Sequence, residues 1–332
     1  MLRSRSTHLP PPRPILSRPP RPATTTPSTG AFGPPEALLL VALSLMWGLS
    51  FLFVELALRD LTPLWIVALR TLAGGLTLLV LLRLRGGTLP RTRRLWGTVA
   101  LLGVVNNAAP WALLAWAQQT LPSGLAGLLM AIVPTSTLLV AAAVGLERIT
   151  RARLLGLLLA LGGVGVIVAG DLEQPGRALA VAGVVVATLL YATGAVLAKQ
   201  RASGTAPPLT IATGQVLSAA VVGLPVAWVT SGPIDVRAVA GTSWLAVALL
   251  GMFGTGLAFL VFYVLVERVG ATNATLTTYL IPIVAVVAGA LLLDERLGLG
   301  AIAGGALILL GIWLAQRSPG APTSARQVPP AG

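Results

Sequence analysis

From residue 36 to residue 316 the chain is a succession of apolar runs. Each is about as long as a helix must be to cross the hydrocarbon core of a bilayer, about 20 residues. They predict ten helices at roughly 37–57, 62–82, 96–117, 122–145, 152–170, 178–198, 208–229, 241–265, 270–293 and 297–316. The connections are short, and none is long enough to form a separate domain. A water-soluble bundle needs a polar stripe along each helix, and Leu154–Gly170 has none. The segments 1–35 and 317–332 contain no long apolar run and are rich in Pro, so both are expected to be disordered tails. The expected fold class is an all-α integral membrane protein.

Composition sharpens this picture. Of 332 residues, 55% are hydrophobic and 10% charged, against about 25% charged in a soluble domain. That excludes a soluble enzyme, a disordered protein and a coiled coil. There is no Cys, and the single His, His8, lies in the N-terminal tail. No metal site, thiol chemistry or cofactor is expected. The net charge is +13, and all 23 basic residues except Lys199 are Arg. Such an excess raises a nucleic-acid partner for consideration, but the placement of the charges argues otherwise. Eighteen lie in the tails and the connections after even-numbered spans, four lie after odd-numbered spans, and Arg70 lies inside a span. Basic residues favour the cytoplasmic side. The bias therefore predicts ten crossings with both termini cytoplasmic, and the nucleic-acid reading drops out. The predominance of Arg over Lys hints at a GC-rich bacterial genome, hence a bacterial plasma (inner) membrane.

Shifting the sequence by 148 places Trp96 on Trp244, Pro134 on Pro282, Glu147-Arg148 on Glu295-Arg296, and Gly156 and Gly163 on Gly304 and Gly311. With a small gap, Pro63-Leu64 falls on Pro208-Leu209. Matching Trp, Pro, Glu-Arg and Gly in one register is far rarer by chance than matching Leu or Ala. The halves are 36–172 and 173–316, each with five spans. An odd number makes the second half enter from the opposite side, so the repeats are inverted. Such repeats are built around a site near the midplane, at their interface.

At this point the chain resembles the ten-helix, EamA-type members of the drug/metabolite transporter superfamily. The resemblance covers most of 36–316. It is carried by Trp47-Gly48-Leu49-Ser50-Phe51, by Pro63 with Arg70, by the Ala-rich fourth span ending in Gly145-Leu146-Glu147-Arg148, and by Leu293-Asp294-Glu295-Arg296. It implies a transporter whose substrates range over amino acids, other metabolites and toxic compounds, usually exported. The small four-helix relatives use a carboxylate deep in their first helix for coupling. This chain departs from that pattern, because its first span holds only Glu55, near the outer end.

Polar and kinked positions within the spans are the candidate site. An ionisable residue at a helix centre costs about 2.5–3.5 kcal/mol on insertion scales. Arg70 and Glu55 are close enough along the chain to pair. A structural pair, a snorkelling Arg70, and an anion-attracting or gating charge all stay open. Lys199, which an offset of 144 places on Glu55, reads as a cytoplasmic anchor, with a gating role as the alternative. Pro110 cannot donate to the carbonyl of Asn106, so a kink carrying Asn106, Asn107 and Trp111 should face the interior. Thr255, Phe259 and Tyr263 lie at and beyond the equivalent place in the eighth span, and Thr278 in the ninth. Pro134 and Pro282 free carbonyls in the fourth and ninth spans. Trp47 and Ser50 share a face of the first span, with Tyr191 equivalent in the sixth. For each residue, cavity lining and interhelical bonding both stay open; the set reads as a cavity wall. Trp65, Trp96, Trp228, Trp244 and Trp313 read as interfacial anchors. The two Glu-Arg pairs could cap helices or latch a gate, with an exposed, weak pair as the preferred reading.

The leading functional expectation is a secondary carrier for a small molecule, working by alternating access. No GxxxxGK[ST] phosphate loop is present, so energy would come from protons, another coupling ion or a substrate gradient. A channel-like or uniport facilitator is the alternative. An intramembrane enzyme is a distant third, since the spans hold no His and no Asp pair. The expected partners are the substrate and the lipid bilayer, with a monomer or homodimer as the assembly.

Overall fold

The computed structural model describes residues 33–147, 149–170 and 176–317. Most of both tails, and Arg148, lie outside the described residues. Ten apolar helices appear: α1 Pro34–Ala57, α2 Pro63–Leu84, α3 Arg93–Gln118, α4 Ser123–Ala143, α5 Arg151–Ala169, α6 Arg177–Ala202, α7 Pro208–Ser231, α8 Gly241–Gly270, α9 Thr277–Leu292 and α10 Leu299–Gln316. Nine are long and apolar enough to span a membrane. The ninth is shorter than the sequence predicts. Gly270 takes φ 80°, ψ 162° and breaks the helix there; a helical turn at 271–274 and a turn at 275–276 follow before α9 starts at Thr277.

Local chemistry fixes several helix starts. Pro34, Pro63 and Pro208 occupy the first turn, where a missing N–H costs nothing. Thr62, Thr92 and Thr150 cap α2, α3 and α5 through their side-chain oxygens. Many large apolar side chains are exposed. Leu154, Leu155, Leu158 and Leu161 of α5 all point outward. In water such a face is a liability, whereas in hydrocarbon it costs nothing.

The halves pack as an inverted pair. In α5 and α10, Gly156 lies on the carbonyl of Gly311, and Gly163 on the carbonyl of Gly304. The register makes Gly156 equivalent to Gly304 and Gly163 to Gly311. Gly156 therefore meets the counterpart of Gly163, and Gly163 the counterpart of Gly156, as a two-fold axis between antiparallel helices requires. The same exchange recurs nearer the centre. Gly251 of α8 lies against the carbonyl of Arg70 in α2, and Gly103 of α3 against that of Gln215 in α7. An offset of 145, the one that aligns Pro63 with Pro208, makes Arg70 and Gln215 equivalent. Likewise α1 packs on α9, and α6 on α4, the latter through a Ser136–Thr188 hydroxyl pair at 2.8 Å.

Irregular turns also repeat. Val104–Ala108 in α3 and Met252–Leu257 in α8 are π-helical, and their starts are 148 residues apart. A widened turn thus precedes Pro110 where the sequence predicts a plain kink, and it recurs in α8 with Ala258 in the place of Pro110. In α4 a 3₁₀ turn at Met130–Ile132 precedes Pro134. Pro282 and Pro225 are accommodated inside α9 and α7.

The α5–α10 contact predicts a sharp contrast between neighbouring glycines. A Cβ at Gly163 meets the Gly304 carbonyl and Ile308, whereas one at Gly162 meets nothing within 4 Å. Gly163→Val should destabilise the protein by about 1–3 kcal/mol through overpacking, seen as a lower melting temperature in detergent. Gly162→Ala should leave it unchanged or slightly raised. Equal tolerance at both positions would contradict the packing.

Candidate functional site

The centre of the bundle is polar and is built from both halves. Arg70 stands two turns into α2 and is only 8% exposed. Its Nε donates to the Thr255 hydroxyl of α8 at 2.9 Å, and its guanidinium lies 3.8 Å from the centre of a Trp111 ring in α3. Tyr191 of α6 lies beside both Arg70 and Trp111. The bare backbones of Gly74 and Gly251 let α2 and α8 approach closely enough for this contact. The π turn presents Thr255 to Arg70, and the Thr255 hydroxyl also donates to the Leu250 carbonyl five residues back. Its counterpart Asn107 likewise turns its amide towards the Leu102 carbonyl, at 3.5 Å. Asn107 is fully buried, and its Oδ1 has no partner.

The structure thus brings Arg70, Trp111, Tyr191 and Thr255 together, and it separates Glu55 from them. The expected Glu55–Arg70 pair does not form. Arg70 reaches across to α8, while Glu55 sits at the far end of α1 beside Gln118 and Glu295. A snorkelling Arg70 is also excluded, since its head group is held inside by Thr255 and Trp111.

The other candidates divide by location. Trp47 contacts Phe262 at 5.5 Å, Phe262 contacts Tyr263 at 5.5 Å, and Tyr263 contacts Phe259 at 6.3 Å between ring centres. These rings line α1 and α8 as an aromatic ladder. Asn106 is half-buried and packs its amide against Gly194 of α6. Ser50 donates to the Met46 carbonyl at 2.8 Å and fills the space over Gly254, so it serves the α1–α8 contact. Lys199 is exposed in the last turn of α6. Thr278 is not central: α9 starts at Thr277, so Thr278 lies in its first turn, where it donates to the Thr275 carbonyl.

The two ends of the bundle differ. One carries the Arg-rich connections after α2, α4, α6 and α8, and there a cavity of about 1330 Å³ opens. Its walls include Arg85, Arg91, Arg94, Arg201, Glu267 and, at the α8 side, Leu260 and Tyr263. At the opposite end, where a smaller cavity of about 360 Å³ is lined by Asp60, Thr62, Trp65 and Ser231, polar bonds tie the halves together. Asp60 accepts from the Ser243 hydroxyl at 2.6 Å and from the Ala240 N–H at 3.1 Å. Thr62 donates to Ser231 at 3.0 Å. Trp65, expected as an interfacial anchor, is buried, and its indole donates to the Gly232 carbonyl at 2.9 Å.

Glu295 completes this seal. Its carboxylate accepts from the N–H groups of Ser123 and Gly124, at 2.7 and 2.8 Å, at the start of α4. A carboxylate at a helix N-terminus meets unpaired donors and the positive end of the dipole. The left-handed turn at Asp294, φ 55°, helps bring it there. Its counterpart Glu147 instead pairs with Arg153 at 2.6 Å. Glu295 thus holds a helix start in place of the expected exposed pair with Arg296, while for Glu147 the expected partner Arg148 lies outside the described residues. Around the seal, Glu55 Oε2, Gln118 Oε1 and Ser123 Oγ are enclosed without hydrogen-bond partners.

The sequence reading missed Gln118, Ser123, Asp60, Ser243 and Gln215. The repeat offset would have found Gln215, because it aligns with Arg70. Helix-terminal residues such as Asp60 and Ser243 carry no sequence signal until the ends are brought together.

Residues 34–169 and 178–316 each match the EamA-like transporter family. An "Uncharacterized transporter" of Archaeoglobus fulgidus is 28% identical over 279 residues, covering 82% of this chain and 95% of the relative. The inner membrane transporter YedA of Escherichia coli K12, also called uncharacterized, is 29% identical, covering 78% and 83%. A protein of Streptantibioticus cattleyicolor named "Probable terminal-alkyne amino-acid exporter" is 31% identical, covering 69% and 75%. A solved crystal structure shares the fold with a TM-score of 0.61 at 21% identity, covering 85% of this chain and 96% of the other.

Removing the Glu295 carboxylate should loosen the sealed end. Glu295→Ala should cost about 2 kcal/mol in stability, the range for a lost charged hydrogen bond. In this naturally cysteine-free chain, Ser123→Cys should resist thiol reagents in the parent and react in the Glu295→Ala background. Continued protection would show that the seal does not depend on Glu295.

Proposed function

From the premise that the chain belongs to the EamA-like transporter family, we propose that it is a secondary active carrier working by alternating access. It exports a small metabolite, amino acid or toxic compound across a bacterial inner membrane. The observation that carries this reading is the asymmetry of the bundle. A polar centre made by both halves lies between an end tied together by Asp60, Thr62, Trp65 and Glu295, with a cavity of about 360 Å³, and an end open as a cavity of about 1330 Å³. A channel needs a path open at both ends, whereas a carrier needs one end shut while the other is open.

The positive-inside bias supports a cytoplasmic Arg-rich end, and with it a state open towards the side from which an exporter loads. The Streptantibioticus relative, named as an amino-acid exporter, supports amino acids within the substrate range. Glu55, Gln118, Ser123 and Glu295 place two carboxylates and three unpartnered polar atoms at the closed end. That grouping suits a proton or other small cation as the coupling ion. One chain contains both halves, so a monomer suffices for transport.

Reconstituted vesicles test the reading. A screen of labelled amino acids and metabolites should yield saturable counterflow, dependent on a proton or ion gradient for net export. Trp47→Ala and Asn106→Ala should lower transport roughly tenfold or more with normal insertion. Flux that never saturates would favour a channel, and unchanged transport in both variants would remove these residues from the path.

A further inference from the structure

Arg70 is a buried cation without an acid. No carboxylate lies within salt-bridge distance of it among the described residues, and its charged neighbourhood holds only the Tyr191 hydroxyl. Nε is used by Thr255 and one face of the guanidinium by Trp111. The two Nη atoms have no protein acceptor among the described residues. They are nevertheless absent from the fully enclosed, unpartnered atoms, so they keep some accessible surface. A guanidinium fixed by one edge and one face, with its outer fork left open, is prepared for a planar, two-oxygen anion.

We propose that this fork is the anchor for the carboxylate of the transported compound, and that the substrate is a small monocarboxylate with a largely apolar or aromatic remainder. The inference rests on the carrier reading above and adds the substrate class. Charge stoichiometry selects a monoanion. One guanidinium balances one carboxylate, while a phosphate dianion at this depth would keep an uncompensated charge. Geometry selects two parallel acceptors, since the two Nη atoms remain available. The aromatic ladder suits the remainder of the molecule. Phe259 and Tyr191 pack on the same cluster as Trp111, and Tyr263 reaches from Phe259 to the cavity wall. An anion entering there passes four arginines, Arg85, Arg91, Arg94 and Arg201, against a single acid, Glu267. The positive-inside rule accounts for basic residues in these loops. Their position on the cavity wall in addition raises the local concentration of anions.

Binding to the purified full chain in detergent tests this with four probes: 3-phenylpropionate, 3-phenylpropionamide, phenylalanine and phenylalaninamide. Each acid should raise the melting temperature of the parent protein at concentrations roughly 10–100-fold lower than its amide, the discrimination expected of a charge-assisted hydrogen bond. Arg70→Gln should erase the preference. Arg70→Lys, which keeps the charge and loses the fork, should retain a weakened one. Comparison of acid with amide on the parent protein does not depend on either variant folding. Equal binding of acid and amide, no binding of either acid, or an intact preference in a folded Arg70→Gln protein overturns the proposal. Counterflow separates this from the carrier reading. Transport confined to uncharged compounds leaves the carrier standing and removes the anion anchor. Selective acid binding with no flux in vesicles does the reverse.

Discussion

A single cation taken out of water organises the centre of this protein. On insertion scales Arg70 costs about 2.5–3.5 kcal/mol at a helix centre. A desolvated cation–π contact returns about 2 kcal/mol and a hydrogen bond to a charged group about 1.5–3. The stack on Trp111 and the bond to Thr255 therefore roughly offset the burial. Those partners come from α3 and α8, and Arg70 from α2, so holding the charge also ties the first half to the second. The bond to Thr255 requires the close approach of Gly74 and Gly251 and the widened turn at Met252–Leu257.

The inverted repeat gives the molecule two versions of each contact, and sequence divergence makes them unequal. The Arg70–Thr255 bond between the halves has Gln215 and Asn107 at its sequence-equivalent positions. Glu295 holds the start of α4, while its counterpart Glu147 is drawn to Arg153. In the proposed carrier, near-equivalence allows two packings of similar free energy, and the unequal charges would let a ligand favour one of them.

Much of this was legible in the sequence. Ten apolar runs and a gapless register gave the inverted architecture, because bilayer thickness and backbone satisfaction leave few alternatives. The kinked, polar stretches around Asn106 and Thr255 were legible because Pro and amides are costly in lipid. What was not legible depends on distances between chain-remote atoms. Arg70 pairs with Thr255 rather than with Glu55 because the helix packing faces it towards α8. α9 starts at Thr277, after the break at Gly270 and a turn at 275–276, so Thr278 lies in its first turn. The seal made by Glu295 needs a turn at Asp294 and the start of α4, 171–172 residues away along the chain.

The most direct test of alternating access is a pair of spin-label distances in the same cysteine-free chain, in lipid. One pair, Arg91→Cys with Glu267→Cys, spans the open mouth. The other, Thr120→Cys with Arg296→Cys, spans the sealed end. The account predicts two populations at each end, with the mouth narrowing as the sealed end widens under conditions that drive transport. Distances that stay fixed at both ends, or that widen together, would contradict it.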